Sequence, residues 1–182
     1  MEENFIVLLI GPSGSGKTTL ALELERRYSW KSVESYTTRP RRTNEEKGHI
    51  FISNDAFNRI PANEMAAYTE YNGYRYCATM DQIEKSQIYV IDPVGAKNFN
   101  YSGKKSVLMF YLSVPEKIRM QRMKNRGDSD SMIKDRIHTD QIAFGDEAMR
   151  SLCLHKLDGT LQPEVAAEKI SCMCEKICRR KL

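Results

Sequence analysis

Apolar and polar positions along this chain alternate in two rhythms. Short β-rich apolar runs fall at 5–10, 32–36, 87–91, 106–112 and 152–157. Those at 87–91 and 106–112 are nearly unbroken by polar residues. Strands covered by helices on both faces read this way, so the runs predict a parallel sheet. Between them a helical period holds over about 17–28, 115–126, 130–150 and 163–179. In the last stretch Ala166, Ile170, Met173 and Ile177 fall on one face, with Glu168, Lys169, Glu175 and Lys176 on the other. Pro163 stands at its first turn, where a missing N–H costs nothing. The alternation predicts an α/β domain with a doubly wound core.

Two segments break the alternation. Residues 38–80 carry short alternating runs such as Gly48 to Ser53 and predict a small, partly antiparallel insert. Residues 124–136 are polar and centred on Gly127, the composition of a mobile segment passing over the carboxyl ends of the core strands. The expected organisation is one domain, with core 1–37, 81–123 and 137–182, insert 38–80 and lid 124–136.

Composition narrows the partners. The chain has 182 residues, enough for one sizeable core. Its net charge of +4 suits small anionic substrates and gives no sign of a nucleic acid polymer. No run approaches the ~20 apolar residues of a membrane span. The N-terminal apolar run is too short for a secretory leader, so a cytoplasmic protein with reduced thiols is expected. Of the five cysteines, Cys172, Cys174 and Cys178 cluster near the C-terminus. Their spacing follows a helix face and lacks a CxxC pair, which favours burial on a helix over metal binding.

The richest chemistry begins where the first apolar run ends. Gly11, Pro12, Ser13, Gly14, Ser15, Gly16, Lys17 and Thr18 form a complete G-x-x-x-x-G-K-[ST] loop between a predicted strand and a predicted helix that continues from Thr19. Glycines let such a loop curl so that successive N–H groups converge on a phosphate chain at a helix N-terminus. Lys17 reaches the β- and γ-phosphates and the Thr18 hydroxyl holds Mg²⁺ in this motif, which predicts a nucleoside triphosphate with Mg²⁺ as ligand. A second anion cradle is expected at Ser35 to Arg42, where Arg39, Arg41 and Arg42 offer clustered guanidinium donors. Pro40 keeps that run extended. Asp92 ends a predicted strand, where a carboxylate either faces the Mg²⁺ shell or the acceptor, or else caps a helix.

With these segments in view, the chain resembles the guanylate kinase family over most of its length. The matching residues are the loop, Thr37-Thr38-Arg39-Pro40-Arg41-Arg42 with Glu45 and Gly48, Phe51-Ile52-Ser53, and Gly73-Tyr74-Arg75-Tyr76. Ile91-Asp92 with Gly95 and the series Arg122, Arg126-Gly127 and Arg136 complete the match. The resemblance implies a P-loop kinase that passes a phosphoryl group from ATP to a nucleoside monophosphate, GMP to GDP first among them. It implies that Arg39, Arg42 and Tyr76 hold the acceptor phosphate, and that Arg122, Arg126 and Arg136 close over ATP and spread the transferring charge. Ser35 and Thr38 are placed to contact base or sugar. Monomer and homodimer are both compatible with it.

The family reads guanine with a glutamate six residues before the glycine of Gly-x-x-Tyr, and that position here is Ala67. Glu70, like Glu64, lies three residues off that register, and a shifted insert would bring one of them to the base. His49-Ile50-Phe51 stands where the family has Tyr-x-Phe. The ribose 1,5-bisphosphate kinases are similar in both respects, which keeps another small phosphorylated acceptor as the alternative. Guanylate kinase-like scaffold modules resemble the expected fold as well but usually lack the working loop, whose Lys17 and Thr18 are present here.

Overall fold

The computed structural model describes residues 4–41, 46–71, 73–145, 152 and 155–179. From the N-terminus, strand β1 (Phe5–Ile10) leads through the glycine-rich loop into helix α1 (Lys17–Tyr28). Next come β2 (Ser35–Thr37), β3 (His49–Phe51), α2 (Asn54–Asn58), β4 (Met65–Tyr71), β5 (Tyr74–Thr79) and α3 (Met80–Glu84). They are followed by β6 (Ile88–Val90), α4 (Pro93–Lys97), β7 (Ser106–Ser113) and α5 (Glu116–Asn125). The chain then forms α6 (Asp130–Ala143), β8 (His155–Asp158) and a last helix, α7 (Pro163–Arg179).

Four strands form an all-parallel sheet in the order β6-β1-β7-β8. Every residue of β1 is buried, which explains its unbroken apolar sequence. Phe5, Val7 and Leu9 face α1 and α7 and pack with Leu20, Leu24, Ala167, Ile170 and Cys174. Ile6, Leu8 and Ile10 face the other way, toward Ala66, Ala67, Ala78, Ile83 and Ile91. Burying side chains of this size contributes about 1.5–3 kcal/mol each, so β1 is a firmly anchored platform for the loop at its end. Cys174 lies in this core, whereas Cys172 is exposed. Among the described residues no His, Cys, Asp or Glu cluster could hold a metal ion.

The second sheet has the order β3-β2-β5-β4, with β2 and β3 parallel and the other pairs antiparallel. This is the partly antiparallel insert, but it takes in more of the chain than expected. The run 32–36 was expected in the parallel core. Ser32 pairs with Ile88 of the core, where the Val33 N–H donates to the Ile88 carbonyl at 2.8 Å, and Ser35–Thr37 belong to the second sheet. Three residues are too few for periodicity to reveal which sheet they join. Small side chains at Ala66, Ala67 and Ala78 let the insert pack closely on the β1 face.

Helical structure also enters the polar segment 124–136. Helix α5 runs to Asn125 and α6 starts at Asp130, where Ser129 caps it by accepting the Met132 N–H. Of the expected helix 130–150, the stretch through Ala143 is helical, and 146–150 lie outside the described residues. No helix among the described residues is long and apolar enough to cross a membrane.

Candidate active site

Helix α1 begins without a capping side chain and without an acidic residue in its first turn. Its unpaired N–H groups and positive dipole end are therefore left for an anion. Gly14 and Gly16 adopt φ of +75° and +97°, and a Cβ on Gly14 would come within 2.7 Å of the Arg119 carbonyl oxygen. The loop curls as the motif predicts, with Ser15 N–H donating to the Pro12 carbonyl at 3.1 Å. Gly14, Ser15, Gly16, Lys17, Thr18 and Thr19, together with Ser13, line a cavity of about 600 Å³ that also receives Arg122, Arg126 and Arg136. Gly11 and Pro12 are buried beneath it.

Lys17 folds back over the loop, donating from Nζ to the carbonyls of Gly11 at 2.6 Å and Pro12 at 3.1 Å. Burial pushes its ammonium down to about 8, with Asp140 opposing and Arg119, Arg126 and Arg136 adding to the fall. Thr18 and Thr19 are exposed at the cavity wall.

The three predicted lid arginines divide into two roles. Arg122 grips the loop from outside: Nη1 donates to the Gly14 and Ser15 carbonyls at 3.3 and 3.2 Å, and Nη2 to Gly159 at 3.0 Å. Arg126 and Arg136 converge on Asp128, at 2.5 Å from Nη2 and 3.4 Å from Nε respectively. The family resemblance grouped these three arginines, but residue order alone does not say in which direction each points.

The residues expected to form the acceptor cradle lie on one face of the second sheet. In register, Thr37 pairs with Phe51 and Tyr76, Ser35 with His49, and Tyr76 with Thr69. Alternation along the strands puts these side chains on the same face. Arg39 follows directly, only 8% exposed, with its backbone N–H donating to Thr37 Oγ1. Its guanidinium meets Glu46 in a two-point pair, at 2.6 and 3.2 Å, and lies 5.3 Å from the Phe51 ring centroid. Burial works against its charge, but hydrogen bonding and attraction to Glu46 and Tyr76 outweigh that and raise its pKa. Ser35 Oγ bonds His49 Nδ1 at 2.9 Å and also reaches the Tyr89 hydroxyl, whose phenol burial pushes above its ordinary value. The His49 ring meets Tyr76 edge-on at 5.7 Å.

Three expected positions fall elsewhere. Glu70 pairs with Arg75 in the ladder, one residue off the Thr69–Tyr76 pair, so it points to the opposite face and bonds the Tyr68 hydroxyl. Thr38 ties β2 to β5, its hydroxyl accepting the Arg75 N–H at 2.9 Å. Asp92 caps α4, with Oδ1 accepting the Gly95 N–H at 2.9 Å, and does not line the loop cavity. Arg42 lies outside the described residues. Ala67 is 2% exposed within the contact between insert and core, a position where an uncompensated carboxylate would be costly. Glu46, Arg119, Asp128 and Asp140 went unnoticed in the sequence. Arg119 could have been found from its spacing, three before Arg122 and seven before Arg126 on one helix.

Comparison with known proteins meets the same architecture. A family model described as "AAA domain" matches residues 7–143. Guanylate kinase from Thermobifida fusca is 32% identical over 154 residues, covering 78% of each chain. The chain belongs to the guanylate kinase family. A second member, from Geobacter sulfurreducens, is 33% identical over 148 residues, covering 75% of this chain and 73% of that one. Among solved structures, guanylate kinase from Anaplasma phagocytophilum superposes with a TM-score of 0.60 at 19% identity, over 98% of this chain and 86% of that one. Deoxyadenosine kinase from M. mycoides with bound dATP superposes with a TM-score of 0.54 at 11% identity, covering 94% of this chain and all of that one. These two likenesses concern the fold, that of a P-loop kinase core. The chain carries Lys17 and Thr18 in its loop and alanine at position 67.

Proposed function

We propose that this family member transfers the γ-phosphoryl group of ATP to a nucleoside monophosphate, with GMP as the first acceptor. Membership of the family makes it a nucleotide kinase; the choice of GMP rests on the names its relatives carry. One observation carries the reading: the chain joins a P-loop cavity to a second, separate guanidinium cradle at Arg39 and Tyr76. A hydrolase needs only the first; phosphoryl transfer between two anions needs both.

In this mechanism the loop N–H groups and Lys17 hold the triphosphate, and Lys17 leaves the Gly11 and Pro12 carbonyls to do so. Arg39 and Tyr76, joined by Arg42, hold the acceptor phosphate in line. An acceptor phosphate oxygen is already anionic, so no general base is required. Arg126 and Arg136, on the cavity wall, neutralise charge on the phosphoryl group in transit, and Arg122 keeps the loop carbonyls turned outward. Thr18, exposed on the wall, would hold Mg²⁺, which when bound would neutralise charge on the triphosphate. The proposal divides the chain into core 1–37, 81–123 and 137–182, insert 38–80, to whose sheet Ser35–Thr37 add a strand, and lid 124–136, and sets the reaction in the cytoplasm.

The test offers purified protein ATP-Mg²⁺ with each nucleoside monophosphate in turn and follows ADP release. Rapid ADP formation with GMP supports the reading in full. Turnover with another monophosphate and none with GMP refutes the choice of base, and no turnover with any refutes phosphoryl transfer.

A further inference from the structure

An ion pair grips the P-loop from its outer side. Asp140, near the end of α6, accepts the Ser13 N–H at Oδ2 (2.8 Å) and the Ser13 hydroxyl at Oδ1 (3.4 Å). The same Oδ2 receives Arg119 Nη1 at 3.1 Å, and that Nη1 also donates to the Ser13 carbonyl at 3.4 Å. The ring is closed: donor and acceptor of one loop residue are both held by a charge pair on two other helices. Arg119 is 7% exposed, and its main chain is the surface against which Gly14 packs.

We propose that Asp140 and Arg119 are positioning residues that fix the outer turn of the loop, so that the N–H groups from Gly14 to Thr18 face the phosphates before nucleotide arrives. Three considerations carry this. First, a loop with three glycines loses much conformational freedom when ordered, and whatever orders it in advance removes that cost from binding. Second, a buried charge pair adds little net stability compared with apolar packing of the same volume, so its contribution here lies in geometry. Third, the pair is built into the helices that carry the cavity arginines. Asp140 is one turn beyond Arg136 on α6, and Arg119 one turn before Arg122 on α5. The loop and the arginines are thereby held in one register.

This inference rests on the nucleotide site proposed above, and the test keeps the two apart. ATP affinity is measured by calorimetry without acceptor, and the acceptor KM is measured at saturating ATP, for Asp140→Ala, Asp140→Asn, Arg119→Lys and Lys17→Ala. Losing a charged acceptor for a backbone N–H should weaken ATP binding by roughly tenfold in Asp140→Ala. Asp140→Asn keeps an oxygen for Ser13 and should lose less. The acceptor KM stays put in both. If Lys17→Ala abolishes ATP binding while Asp140→Ala stays within about twofold of the parent, the positioning role is overturned and the site stands. If Lys17→Ala binds ATP normally, the site itself is overturned. Should Asp140→Ala fail to fold, Asp140→Asn and Arg119→Lys decide: weaker ATP binding with an unchanged acceptor KM supports the role, and equal losses at both sites or none at either overturn it.

Discussion

Arg39 and Glu46 face each other with two donors on two acceptors, Nη2 to Oε1 at 2.6 Å and Nη1 to Oε2 at 3.2 Å. The cradle proposed for the acceptor phosphate thus already contains a carboxylate. Removing the arginine deletes charge-assisted contacts and leaves that carboxylate beside an incoming anion. Arg39→Ala should raise the acceptor KM roughly ten- to a hundredfold, with ATP affinity unchanged. Adding Glu46→Ala should recover part of the loss. Steady-state kinetics with each substrate varied checks both, and a shift in ATP affinity alone would reassign the cradle.

Gly14 combines a φ of +75° with a carbonyl oxygen 2.7 Å from where a Cβ would sit. Gly14→Ala should push the loop off Arg119 and weaken nucleotide binding by roughly five- to a hundredfold, the equivalent of about 1–3 kcal/mol of backbone strain. Calorimetric titration with ADP reads it directly.

The lowered pKa of Lys17, about 8 against an ordinary 10.5, has two signatures. Between those values the unfolded chain binds more protons than the folded one, so stability of the empty protein should rise with pH through that window. Phosphates binding at the ammonium should pull the proton back. Calorimetry at pH 9 in buffers of different ionisation enthalpy should show uptake of up to about one proton on nucleotide binding, vanishing near pH 6.5. Lys17→Arg should abolish the uptake.

Burial pushes the Cys77 thiol up to about 11, with Arg75 opposing, and leaves it 1% exposed. Iodoacetamide at pH 8 should modify exposed Cys172 first and reach Cys77 only on unfolding. Peptide mapping by mass spectrometry over a urea series distinguishes the two.

Much of this was readable from residue order. Strand, loop and helix around Gly11 to Thr18 are local, because hydrophobic run, glycine spacing and helix start lie within a short window. The apolar face of α7 was equally local, as Ala166 and Ile170 in the core show. What escaped depends on partners distant in sequence. Ser35–Thr37 gives no sign of which sheet it joins. Glu70 misses the cradle by one ladder position, a matter of strand pairing. Asp140 sits 127 positions from the loop residue it holds, and no spacing rule spans such a distance.

The place of β1 between β6 and β7 has a consequence for how the molecule comes into being. Both neighbours of the strand that ends in the loop lie far along the chain, at Ile88–Val90 and Ser106–Ser113. Contacts so far apart close large loops before they are rewarded, which slows folding. A nascent chain that has not yet released Ser113 carries the whole phosphate motif but lacks the platform that shapes it. Competence for nucleotide is therefore acquired only after β7 has been made, although its signature is complete by Thr18.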